Sequence, residues 1–387
     1  MLTIDVIIAA GAVVSLAAWP RSTGSAAACA AGACGLVALH GTGAARVALS
    51  ATLPMLVYLT AALSIAGVAA RSRLVESAAS LLARQAKGSA FRLYCLLCLM
   101  AAASTMAVSL DGAVVLAAPV LVELRRRYGA PLAPLLLGLI AVANTVSVAV
   151  PQGNPTNLVL MERLGMSAGA FTAHLCVPAL AAAVSAAAAV GLLERKRLER
   201  TVARPAVVSR VDRRGLRALV LLVTAAGAGW TASLVGMSPV WPFALVTIVS
   251  LALERRDARL IVPWRIAVQV GALLTILGTF TSGRGPFVGL GDVGMVGLAV
   301  AACLLSGLFN NLPASVAVAA LPLAPGAAYG AIAGLSVGAL ATPHGSVATL
   351  IALDLADPDS RARVRIPLAV GGSVALAAAV AALAVVK

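Results

Sequence analysis

Long apolar runs separated by short basic stretches recur from one end of the chain to the other. They fall at 4–19, 24–42, 47–70, 93–124, 130–165, 171–193, 216–235, 237–253, 266–282, 287–324, 326–356 and 366–386. About 20 apolar residues suffice to cross about 30 Å of hydrocarbon as a helix. The alternating segments of about 10 residues that mark a membrane barrel are not seen. The pattern predicts an all-α polytopic membrane protein. The runs 93–124, 130–165, 287–324 and 326–356 are too long for one simple span, and each is interrupted by Gly, Pro, Asn or Asp.

The polar positions set the expected orientation. Stretches 71–92, 125–127, 194–217, 254–265 and 361–365, together with Arg21, hold 25 of the 29 Lys and Arg residues. Basic loops stay cytoplasmic, so these stretches belong on one side. Run 93–124 then has both flanks inside and reads as a re-entrant hairpin with its tip near Ser109–Gly112. Run 130–165 crosses outward with a break at Pro151–Pro155, and 171–193 returns. The second half repeats this order upside down: a hairpin over 287–324 with its tip near Asn310–Pro313, then a helix over 326–356 broken at Thr342–Ser346. The expected organisation is an inverted repeat. Residues 1–193 form one half, 194–215 a basic cytoplasmic linker and 216–387 the other half. Each half has five transmembrane helices plus one re-entrant hairpin, a secondary-transporter plan. Both termini are expected outside the cytoplasm, in the cell membrane. Met1–Asp5 carries no Lys or Arg, so no signal peptide is expected.

Composition sharpens this. Of 387 residues, 61% are hydrophobic and 11% charged, too few charges to cover a soluble domain. The net charge of +15 lies between apolar runs, where it is a topology signal, so a nucleic-acid partner is not expected. The six cysteines lie in or beside apolar runs, and Cys95-x-x-Cys98 lacks a second ligand pair, so neither a disulfide framework nor a metal site is expected. No P-loop, nucleophile–base pair or dinucleotide fingerprint is present, which argues against an enzyme and against a cofactor.

Chemistry concentrates where the long runs break. Irregular backbone at membrane depth is tolerated only inside protein or beside a water-filled cavity. A broken helix leaves N–H groups on one piece, which suit an anion, and C=O groups on the other, which suit a cation. The candidate binding residues are Ser109, Asp111, Gly112, Asn154, Thr156, Asn157, Asn310, Asn311, Pro313, Thr342, His344, Gly345, Ser346 and Thr349. Asp111 is the one acid of 14 that falls at a hairpin tip. An ionised carboxylate there costs at least about 2.5 kcal/mol. It reads either as a proton carrier or substrate ligand, or as a cap on the second half-helix.

Four motifs carry a family resemblance. Asp111-Gly112-Ala113 with its run to Pro119, Thr156-Asn157-Leu158-Val159 with the following Leu164-Gly165-Met166-Ser167, Asn310-Asn311-Leu312-Pro313, and Thr342-Pro343-His344-Gly345-Ser346-Val347-Ala348-Thr349-Leu350 resemble the ion-transporter superfamily. They are most similar to its arsenite/antimonite efflux permeases. Dicarboxylate symporters and sodium/proton antiporters belong to the same superfamily, and Gly153-Asn154-Pro155 is more like the anion-symporter members. The resemblance implies proton-motive-force-driven efflux of arsenite, antimonite or a related oxyanion, coupled through Asp111. The alternative is a sodium-coupled anion or dicarboxylate carrier, or a sodium/proton antiporter. Expected partners are a small inorganic or organic ion, the lipid bilayer, a second copy of the chain and, by the resemblance, a separate ATPase subunit. Thiols of Cys95, Cys98 or Cys303 would suit trivalent arsenic if they reached the tips.

Overall fold

The computed structural model describes residues 2–19, 22–207, 209–253, 259–281, 294–319, 321, 323–342, 345–353 and 364–386. Their secondary structure is helical. The first half holds α1 (Leu2–Ala18), α2 (Thr23–His40), α3 (Gly43–Ala70), α4 (Leu74–Gln85), α5 (Ala90–Ala107), α6 (Leu110–Tyr128), α7 (Leu132–Val146), α8 (Pro155–Leu164), α9 (Ala168–Leu193) and the short α10 (Arg195–Leu198). The second holds α11 (Arg213–Leu234), α12 (Val240–Leu253), α13 (Trp264–Thr281), α14 (Met295–Phe309), α15 (Asn311–Ala319), α16 (Pro325–Gly338), α17 (Val347–Leu353) and α18 (Arg365–Val385).

Seven described stretches are long and apolar enough to cross a membrane: α2, α3, α5, Leu132–Ala149, α9, α11 and α18. Their outward faces carry Leu99, Val184, Val223 and Val374, all exposed. Such a surface would aggregate in water and is natural against lipid. By contrast, α7 is enclosed by protein on nearly every side. Helix ends are capped by short polar residues, as at Ser167 (accepting from Ala170 N, 3.2 Å) and Asp212 (accepting from Gly215 N, 2.7 Å). Gly129 and Gly165, at φ 66° and 65°, close α6 and α8 in the left-handed conformation.

Packing sets the layout. Helix α3 lies on α13 and α9 lies on α18, while α6 meets α17 and α8 meets α15. The closest approach is between α14 and α16. A Cβ on Gly330, Gly334 or Gly338 would stand 2.3, 2.0 or 2.1 Å from the carbonyl oxygens of Met295, Ala299 and Cys303. Small residues every fourth position let two backbones touch, which is how helices associate where lipid supplies no hydrophobic drive.

The α5–α6 hairpin doubles back on one end of the molecule. Ala90 N donates to Arg200 O (3.2 Å) and Ala203 N to Tyr128 O (3.0 Å), so one extended segment, 200–203, holds both feet. Four of the five basic stretches gather at that end. Arg127 reaches Glu76 (3.7 Å), Ser209 N donates to Ser80 Oγ (3.0 Å), and Ile261 N donates to Ser64 Oγ (2.9 Å).

Several boundaries differ from the sequence expectation; the second broken helix, for one, already ends at Gly338, ahead of Thr342. Residues 74–85, expected as loop, form the amphipathic helix α4, which turns Ser77, Ala79, Ser80 and Ala83 inward. The first broken helix also gives way earlier than Pro151. It ends at Val146 and passes through 3₁₀ turns at Ser147–Ala149 and Pro151–Gly153.

Candidate functional site

The four polar breaks meet in the interior. At the first hairpin, Ser109 joins α5 to α6 at φ 145° and caps α6, its Oγ accepting from Gly112 N at 3.2 Å. The side chain of Asp111 is therefore not needed as the cap. It is 8% exposed, and among the described residues no hydrogen bond or ion pair reaches its carboxylate. Gly112 lets the arms close: a Cβ there would lie 2.9 Å from Val108 Cγ1.

The second hairpin repeats this geometry. Asn310, at φ 80°, joins α14 to α15, and its Oδ1 accepts from Leu312 N at 3.1 Å. A short polar side chain bonding its own neighbouring backbone tolerates this conformation best. Asn311 N donates to Gly345 O (2.8 Å), tying the tip to the second broken helix. Thr342 Oγ1 donates to Gly307 O (2.7 Å) across the same junction. A Cβ on Gly345 would meet Ala339 O at 2.3 Å, so the break is closed tightly.

The first broken helix is stitched by an amide. Carbonyls near the end of α7 have no partner further along the helix. Asn157 Nδ2 donates to two of them, Ser147 O (2.8 Å) and Val150 O (3.1 Å). Asn154 caps α8 with Oδ1 accepting from Thr156 N (3.1 Å), and Pro155 opens that helix. Gly153 is obligatory here, since a Cβ would stand 2.2 Å from Ser147 O.

Three residues not selected from the sequence complete the cluster. The Tyr58 hydroxyl on α3 faces two carbonyls, Val108 O at 2.9 Å and Gln152 O, so a single O–H bridges the hairpin tip and the broken helix. Asn144 Nδ2 donates to Ile140 O (2.9 Å) and to Thr349 Oγ1 (3.2 Å), linking the halves. Thr349 in turn shares a 2.8 Å bond with Ser346, whose Oγ accepts from Thr349 N. Gln152 is the third. The amide oxygens of Asn144, Gln152 and Asn157 are buried and without a hydrogen-bond partner among the described residues. For Tyr58 and Asn144 the signal in the sequence was a polar side chain inside an apolar run, while Gln152 sits within the Pro151–Pro155 break.

Of the expected residues, Ser109, Asp111, Gly112, Asn154, Thr156, Asn157, Asn310, Asn311, Gly345, Ser346 and Thr349 are buried together, and Thr342 lies at the rim. His344 lies outside the described residues, as does the side chain of Pro313. Cys95 is exposed on the outer face of α5, and Cys98 packs against α7 at Gly138. Beside Pro151 a cleft of about 470 Å³ opens between α8 and the α11–α12 turn, lined by Leu158, Val159, Glu162, Ser167 and Ser238.

Helix starts and buried unpartnered amide oxygens, with no nucleophile–base pair among the described residues, give this cluster groups that suit an ion, inside a multi-pass membrane protein. The protein-family profile described as "CitMHS: Citrate transporter" matches residues 12–343, most of the chain. The chain belongs to that family, a branch of the ion-transporter superfamily, and is a secondary transporter rather than an enzyme. No curated protein matches it.

Proposed function

We propose that the chain is a secondary active carrier of a citrate-like polycarboxylate, with the anion bound among the starts of α6, α8 and α15. The supporting observation is the ring of contacts that gathers these starts. Tyr58 joins α6 to the lead-in of α8, the Asn311–Gly345 bond joins α15 to the lead-in of α17, and α6–α17 and α8–α15 contacts close the circle. Each start carries partial positive charge and N–H groups, which suit carboxylates. The family's substrate, citrate, favours an anion carrier over an arsenite or antimonite exporter. Ser109, Asn154, Thr156, Asn310, Asn311 and Ser346 supply the polar lining.

Coupling belongs to the other set of groups. Asp111 is the proton carrier in this reading. Alternatively, the amide oxygens of Asn144, Gln152 and Asn157 hold a cation, since they are acceptors with nothing to accept. The halves 1–193 and 216–387 act as inverted repeats, with 194–215 as a cytoplasmic linker and both termini outside. Support comes from the matched packing: α3 with α13, α9 with α18, and each hairpin's second arm with the other half's broken helix. In this layout the cleft beside Pro151 opens outward.

Counterflow in proteoliposomes tests the reading. Labelled citrate loaded inside should exchange for external citrate or succinate and not for arsenite, and net uptake should follow a pH or sodium gradient. Exchange for arsenite but not for citrate would replace the polycarboxylate by the oxyanion. Uptake indifferent to both gradients would remove the coupling.

A further inference from the structure

A second cavity system lies on the opposite side of the hairpin from the ion site. A nearly wholly apolar groove of about 740 Å³ runs between α5 and α9, past Leu99, Ala102, Val184, Ala188 and Leu192. Its floor is Tyr94, whose hydroxyl donates to Ala187 O (2.6 Å) and whose ring lies over Gly191. At its basic end the groove continues, through shared Phe91, Leu198 and Glu199, into an open pocket of about 740 Å³. That pocket presents Lys87, Arg92, Arg200 and Arg204 against a single acid, Glu199. None of these four cations has a carboxylate partner among the described residues. The Arg204 guanidinium donates instead to Lys87 O. The walls are fixed: Val202 N donates to Gly88 O (3.0 Å) and Ala90 N to Arg200 O (3.2 Å).

We infer that this composite cavity is a binding site for one anionic phospholipid, with its phosphate among Lys87, Arg92 and Arg200 and an acyl chain along α5 and α9. Charge complementarity selects the occupant. An apolar trough alone would accept any chain, but unpaired cations at its mouth, on the end where the basic stretches gather, favour a negative head group. A bound lipid would lie against the outer arm of the first hairpin, the arm that leads to Ser109 and Asp111. Lipid occupancy would therefore bear on the hairpin without touching substrate. This does not depend on which ion is carried.

Native mass spectrometry of the full chain, delipidated in detergent and titrated with phosphatidylglycerol or phosphatidylcholine, tests it. The unmodified chain should retain the anionic lipid at least about fivefold better, the factor expected from one basic residue near a negative surface. The triple variant Lys87→Gln/Arg92→Gln/Arg200→Gln should fall to within about twofold between the two lipids. Ala188→Trp should weaken retention of both, with Cys34→Ser as a control that leaves both unchanged. Equal retention of the two lipids by the unmodified chain overturns the assignment, as does a preference that survives the triple variant. Dimerisation of the delipidated chain that Ala188→Trp abolishes, with lipid retention unmoved, would assign the groove to a second copy and likewise overturn it.

Discussion

The two hairpins share a joint and differ in almost everything hung on it. In both, a short polar residue at positive φ joins the arms and caps the second one, Ser109 in the first and Asn310 in the second. Two residues on, the first hairpin places Asp111 and the second places Leu312, and residues 295–319 contain no Asp, Glu, Lys, Arg or His at all. The arms are also held differently. The second hairpin is pressed onto its broken helix through three glycines facing carbonyl oxygens. The first meets α7 through Gly138, against the ring of Tyr94 and the thiol of Cys98. One hairpin is charged and packed through side chains. The other is neutral and packed backbone to backbone. The joint is the shared requirement for ending two helices at depth, and the charge is an addition made once.

The largest effect should come from breaking the backbone packing. Gly334→Val drives a Cβ to within 2.0 Å of Ala299 O, where no side chain can yield. A loss at the top of the range for overpacking, about 3 kcal/mol or more, should leave little monodisperse protein in size-exclusion chromatography. Gly138→Val meets side-chain atoms only, a Tyr94 ring atom at 2.5 Å and the Cys98 thiol at 3.1 Å, which yield at the expense of the Tyr94–Ala187 bond, so about 1–2 kcal/mol is expected. Equal damage at both sites would erase the distinction. Next, Asp111→Asn should insert normally and lose at least about tenfold in net uptake, the equivalent of ~1.4 kcal/mol. Unchanged uptake would take away the charged hairpin's special role.

Asn157→Ala should come third. It strips the side-chain donor from Ser147 O and one of two donors from Val150 O, which keeps Gly153 N, so a loss of about 1 kcal/mol is expected in thermal unfolding. Tyr58→Phe removes a single shared proton from Val108 O and Gln152 O, with about 1 kcal/mol expected by the same measurement. Smallest is Ser109→Gly, where the lost cap is offset by relief of the positive φ. A shift within about 0.5 kcal/mol is expected, and Asn310→Gly should match it.

Much of this was legible in residue order. Helix breakers flanked by short polar side chains mark both tips and both broken helices, because unpaired backbone in a low-dielectric slab needs such residues. The basic stretches announced that both feet of the first hairpin lie at one end, where segment 200–203 holds them. What escaped had a weaker signature. Helix α4 hides in a basic stretch because its fully buried residues are only Ala and Ser. Asn144 and Tyr58 are single polar groups in apolar runs, and nothing local says which neighbour each will meet. The early end of α7 at Val146 follows from tertiary stitching by Asn157, a contact ten residues ahead of Ser147 that periodicity does not register.

The stretch between the halves is less slack than its composition suggests. Residues 200–203 are bonded to the α4–α5 turn and to Tyr128, and Ser209 is bonded to α4. Mechanically the strap rides with the first half up to that point. The second half begins in earnest at Asp212, which caps α11. On the proposed inverted-repeat reading, rocking of one half against the other would be taken up at this crossing within 210–212, about 10 Å of fully extended chain. That is a short leash: it permits tilting about a fixed point and forbids a large sliding excursion.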